Sequence, residues 1–143
     1  MLERIVYVPG VDAIVQGLAE PAMRQIGHEI AQAQRQRIPV STDGNYGRPP
    51  GYAKSRIKVM RGVDPMGIYR DIGSDAQTPD GTSYPAILDL GSKPHVIESH
   101  GDYPLRNRRT GQVFGRRVNH PGTKPTAWCR GSLEAVRGRR YYV

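Results

Sequence analysis

This sequence has little of what builds a disulfide scaffold, a membrane span or a thick apolar core. One cysteine, Cys129, excludes an internal disulfide. No apolar run approaches the ~18 residues a membrane-spanning helix needs. The opening stretch, Met1-Leu-Glu-Arg-Ile-Val-Tyr-Val8, carries an acidic residue and too short an apolar segment for a secretory leader. Synthesis in a reducing cytoplasm is therefore expected. Large apolar residues are scarce as well: Leu, Ile, Val and Phe make up 29 of 143 residues, with a single Phe. That is close to the ~20% below which highly charged chains are usually disordered. Periodic apolar segments argue against disorder, so the expectation is a single domain over 1–143 that completes its burial against neighbouring subunits.

Carboxylates are scarce at one end only. Residues 1–100 hold 11 Lys+Arg against 11 Asp+Glu, a balance of zero, whereas residues 101–143 hold 10 against 2, a balance of +8. The whole basic excess lies in the last 43 residues, which speaks to partners and local field and not to fold.

What is present reads as alternating helix and strand. Glu3–Val8 is rich in β-formers and is expected as an edge strand stopped by Pro9-Gly10. Asp12 is placed to cap a short helical piece, and Pro21 to open a second helix. In that helix Ala22, Ile26, Ile30 and Ala33 form one apolar stripe, and Pro39 ends it. Ser41–Tyr52 is a loop by composition; it lacks the Gly-Lys-Ser/Thr of a phosphate loop. Ile57, Val59 and Arg61 alternate with polar neighbours, as do Ile68, Arg70 and Ile72 after Val63-Asp64-Pro65, which predicts a hairpin. Tyr84–Leu90 is too short an apolar run to assign to strand or helix.

The region from Ala86 to Val136 carries one device twice. Gly91-Ser-Lys93-Pro94-His95 closes an apolar run, and His120-Pro121-Gly122-Thr123-Lys124-Pro125 precedes an apolar segment containing Trp128, Leu133 and Val136. Gly permits φ > 0 and Pro holds φ near −65° without an amide donor, so each copy is a rigid corner. Thr126 is the expected cap of a terminal helix, and 137–143 is a basic tail. Between the corners, 101–117 reads as a long basic hairpin with its tip at Thr110-Gly111 and with Arg106, Arg108, Arg109, Arg116 and Arg117 along it.

The Leu-Asp-Leu-Gly-Ser-Lys-Pro-His-Val-Ile run, the basic insertion and Val-Asn-His-Pro-Gly-Thr-Lys-Pro together resemble the tail-component family of long-tailed phages. The resemblance spans roughly Glu20 to Arg137 and departs from the family pattern at Cys129, where an aromatic residue or Leu is expected. It implies a virion protein at the head-to-tail joint, a neck connector or tail-completion ring, assembled in the host cytoplasm. Its expected partners are copies of itself, neighbouring neck, terminator or tail-tube proteins and, non-specifically, packaged DNA; no membrane partner is expected. A tail terminator ring is the alternative within that family, and a basic nucleic-acid-binding accessory protein the alternative from another class.

Other chemistry finds little support in spacing. His95, His100, His120 and Cys129 fall at intervals that match no compact metal-ligand pair. His120, inside its corner, is better placed to bond backbone. Cys129 reads as a small core residue rather than a nucleophile. Asp64, Asp71, Asp75, Asp80 and Asp89 are scattered, with nothing local to select a catalytic pair. No catalytic residue, metal or cofactor is expected. The fold expected is α+β: N-terminal helices and a short C-terminal helix packed on a small, mainly antiparallel sheet.

Overall fold

The alternation over 57–72 has the consequence that strand periodicity demands. β2 (Ile57–Asp64) and β3 (Gly67–Ser74) pair antiparallel from Ile57↔Ser74 to Asp64↔Gly67, with Pro65 in the connection. β1 (Leu2–Val6) pairs on the other side of β3, which gives a three-stranded sheet in the order β1-β3-β2 with β1 at an edge. A computed structural model supplies this description and covers residues 2–6, 13–41, 48–65, 67–107 and 110–140. The proposed cap Asp12 and the proposed strand end at Tyr7 and Val8 lie outside the described residues.

One helix, α1 (Ala13–Arg37), runs where two were expected. Pro21 sits inside it, on the exposed side, rather than opening a second helix. Pro lacks the N–H that would bond Gly17, at a cost of about 3 kcal/mol in an ordinary helix interior, and packing further along outweighs this. The buried face is also rotated from the expected stripe. Met23, Gly27, Ile30, Ala31 and Gln34 are buried, while Ala22, Ile26 and Ala33 lie at the margin. Gly27 explains the rotation: a Cβ there would stand 3.0 Å from Val59 Cγ1, so glycine lets the helix approach β2 and β3 closely. Gln34 is fully buried because its amide donates to Ile72 O (3.4 Å) and to Cys129 Sγ (3.3 Å).

After β3 the chain forms α3 (Tyr84–Leu90), which resolves the open assignment of that segment in favour of helix. The short α2 (Tyr52–Ser55) precedes β2, and a 3-10 turn spans Arg130–Ala135 in place of a regular terminal helix. Ile30, Ala31, Ile38, Ala53, Ile57, Ile72, Ala76, Trp128 and Cys129 form one core between α1, the sheet and the 128–135 segment. Trp128 is wholly buried, and its Nε1–H donates to Pro85 O at 2.9 Å. Withdrawing ~200 Å² of indole from water contributes about 5 kcal/mol at ~25 cal/mol per Å². The architecture is α+β, with a small antiparallel sheet and few helices.

Candidate interaction arm and the clasp that holds it

The two corners found in the sequence meet in space. Ser92 N donates to Thr123 O (2.9 Å) and Thr123 N to Ser92 O (3.1 Å), an isolated antiparallel bridge. Gly91 (φ 75°) and Gly122 (φ 86°) flank it in a conformation that side chains rarely tolerate. A Cβ on Gly91 would stand 2.5 Å from Thr123 O, and one on Gly122 would collide with Ser92 O. Both glycines are therefore required, by backbone angle and by close approach.

The imidazoles finish the joint. His95 and His120 are register partners, with ring centroids 4.9 Å apart. His120 Nδ1 accepts the Gly122 N–H (3.0 Å), so the expectation that this ring bonds backbone is met. His95 Nδ1 lies 2.9 Å from Lys93 O and must donate to it. Neutral His120 thus carries its proton on Nε2 and neutral His95 on Nδ1.

On the body side the clasp is locked to α3. Thr126 N and Ala127 N donate to Leu88 O (3.0 Å) and Asp89 O (3.2 Å), which satisfies carbonyls at the end of that helix. Thr126 does not cap the segment after it, as the sequence suggested; its hydroxyl donates to Leu88 O. The wholly buried Asp89 carboxylate takes that role from another element. It accepts Cys129 N (2.7 Å) and Arg130 N (3.4 Å), and pairs with Arg130 Nε (2.9 Å). A tertiary cap of this kind leaves no local sequence signal.

Beyond the clasp the chain leaves the body. β4 (His95–Glu98) pairs with β7 (Arg117–His120), and β5 (Leu105–Arg106) pairs with β6 (Val113–Gly115) farther out. Neither ribbon joins the three-stranded sheet. The tip closes with Asn107 N to Gln112 O and Gly111 N to Asn107 O, both 2.8 Å, so the long hairpin with its turn at Thr110-Gly111 is present. Arg106, Arg116 and Arg117 lie along it and are exposed; Arg108 and Arg109 lie outside the described residues. Arg116 has Asp102 at 3.7 Å and Arg117 has Glu98 at 3.6 Å. The arm also exposes apolar side chains: Val96, Ile97, Val113 (58%), Phe114 (43%) and Tyr103 (83%).

Elsewhere several titratable groups are tied into structure. Asp71 receives Arg4 (2.9 Å), while Asp75 receives Arg56 (2.6 Å) and Lys58 (2.7 Å). The Arg56 and then the Lys58 hydrogen bonds hold the Asp75 carboxyl below its usual range. Glu20 of α1 is shared by Arg61 (3.2 Å) and the buried Arg70. Burial, with Glu3 and Asp89 nearby, pushes the Cys129 thiol up to about 12. Among the described residues no group of three or more His, Cys, Asp or Glu is arranged to hold a metal ion. No helix among them is long and apolar enough to cross a membrane. A cleft of about 370 Å³ lies beside the body, lined by Pro39, Val40, Arg48, Tyr52, Tyr84 and Leu88, with the Arg48 guanidinium 4.6 Å from the Tyr52 ring centre.

A scan against protein-family models gives no match, and searches of curated proteins and of solved structures likewise give none.

Proposed function

We propose that this chain is a structural protein of a long-tailed phage particle, a ring-forming component of the head-to-tail joint. One observation carries the reading: the residues of the resemblance form a single mechanical unit. Gly91–His95 and His120–Pro125 are bonded to each other, and the chain between them is an exposed basic arm. A joint made rigid by glycine and proline suits an element that must be delivered to a fixed position on a neighbour. The lean core and the exposed apolar residues support an assembled state, and a heterologous contact that closes on itself gives a ring. Whether such a ring serves as connector, completion protein or terminator depends on its neighbours in the particle.

The concentration of basic charge in residues 101–143 favours a second reading, a nucleic-acid-binding accessory protein. Phosphate-dominated binding weakens steeply with salt, whereas apolar subunit contacts persist. Light scattering of the purified chain in ~0.5 M salt is expected to give a ring mass. A monomer that becomes larger only when nucleic acid is added at low salt would overturn the phage-joint reading. Gold labelling of the protein in intact particles, with label confined to the neck, is the direct test.

A further inference from the structure

The arm and the body carry different kinds of surface, and the difference bears on what the arm can bind. Arg106, Arg116 and Arg117 are exposed on the arm beside Val96, Ile97, Val113 and Phe114. On the body, several carboxylates among the described residues are already engaged by cations. Arg4 holds Asp71, Arg56 and Lys58 hold Asp75, Arg130 holds Asp89, and Arg61 and Arg70 share Glu20. Residues 1–100 have no net charge and the whole chain has +8, so one copy carries no acidic excess to offer another.

We infer that the arm is the docking site for a different protein, one whose surface combines carboxylates with an apolar strip. This rests on reading the arm as an assembly element, and it separates two jobs: self-association belongs to the body, and the arm takes the acidic partner. Charge complementarity selects the acid: residues 101–143 carry 10 basic against 2 acidic side chains. The long, exposed contacts of Arg116 to Asp102 and Arg117 to Glu98 therefore leave an excess of guanidinium that opposes burial of the apolar residues beside it. The apolar residues select protein over nucleic acid. A phosphate backbone pairs with arginine but gives Val96, Ile97 and Val113 nothing to pack against. Phe114 and Tyr103 are too few for a base-stacking platform.

Three labelled probes test this on the full chain at ~0.15 M salt: a soluble peptide alternating Glu with Val, a polyglutamate of equal charge, and a short random-sequence DNA duplex. The alternating peptide should bind about tenfold more tightly than either other probe, because only it also gains apolar burial. Reversing Arg106, Arg116 and Arg117 to Glu should weaken its binding about tenfold, from three exposed pairs of modest strength. Val113→Ser with Phe114→Ser should weaken the peptide and leave polyglutamate unchanged, which keeps the test open if the charge variant misfolds. Light-scattering mass should be unaltered in both variants. Tighter binding of the duplex, equal binding of the two peptides, no peptide binding, or loss of self-association in a folded arm variant would each overturn the inference. A monomeric unmodified chain that still prefers the alternating peptide would instead sink the ring and leave the arm's partner standing.

Discussion

Ser92 and Thr123, 31 residues apart in sequence, exchange both of their backbone hydrogen bonds. The two Gly-x-Lys-Pro corners are therefore one joint. The arm begins and ends at the same point on the body, and its direction is set there. Changes at the joint should thus act on how the arm is presented before they act on the core.

Gly122→Ala places a methyl group against Ser92 O at φ 86°, a conformation that disfavours any side chain. Urea denaturation should show a loss of about 1–3 kcal/mol, with faster amide exchange at Ser92 and Thr123. Gly101→Ala, which meets nothing within 4 Å, serves as the control and should stay within ~0.5 kcal/mol of the parent. Equal effects at the two glycines would mean that the clasp does not constrain the chain.

The histidine pair makes a prediction independent of stability. Nitrogen NMR of the neutral rings should find the proton on Nδ1 of His95 and on Nε2 of His120, because one Nδ1 faces a carbonyl and the other an amide N–H. Because the Gly122 N–H bonds Nδ1 of His120, the Gly122 amide resonance should move when that ring is removed. His120→Ala should cost about 1 kcal/mol, with part regained in His120→Asn, whose carbonyl can accept the same N–H.

Asp89 is the most demanding buried group among the described residues. Asp89→Ala would strand two backbone N–H groups and the Arg130 guanidinium, a loss of about 3 kcal/mol by the cost of breaking one side of a buried pair. The half-exposed Arg130 can turn to water, which keeps the figure at the low end. Asp89→Asn retains an acceptor and should cost less. Thermal melts of the two variants provide the comparison.

Cys129 should resist iodoacetamide at pH ~8, where an unperturbed thiol near ~8.5 reacts readily. Its folded-state value is raised to about 12 by burial. Stability from this group is therefore complete below ~8.5 and declines as the pH rises from there towards the folded value, because the unfolded thiol ionises first. Cys129→Ala should flatten the stability profile on the alkaline side, cost roughly 1 kcal/mol at neutral pH for the small cavity, and leave assembly intact. Rapid alkylation of the folded protein would show the thiol to be accessible.

By itself the sequence determined the features that depend on near neighbours. The alternation around Ile57 and Val59, and around Ile68 and Ile72, set the hairpin, because side chains two apart share a face in any strand. Pro39 marked the end of α1, and glycine with proline marked both corners. Charge counting located the basic arm. Tertiary structure decided what depends on residues far apart. Which face of α1 is buried was settled by Gly27 against Val59 and by Gln34 reaching Ile72 O, so a pattern read along the helix alone came out rotated. That the corners pair, that Asp89 caps the 3-10 turn, and that Val113 and Phe114 stay exposed follow from closing the chain over tens of residues. Local preference is set by a residue's neighbours within a turn or two. Contacts such as Ser92–Thr123 exist only once the entropy of that closure has been offset by the core built on Trp128.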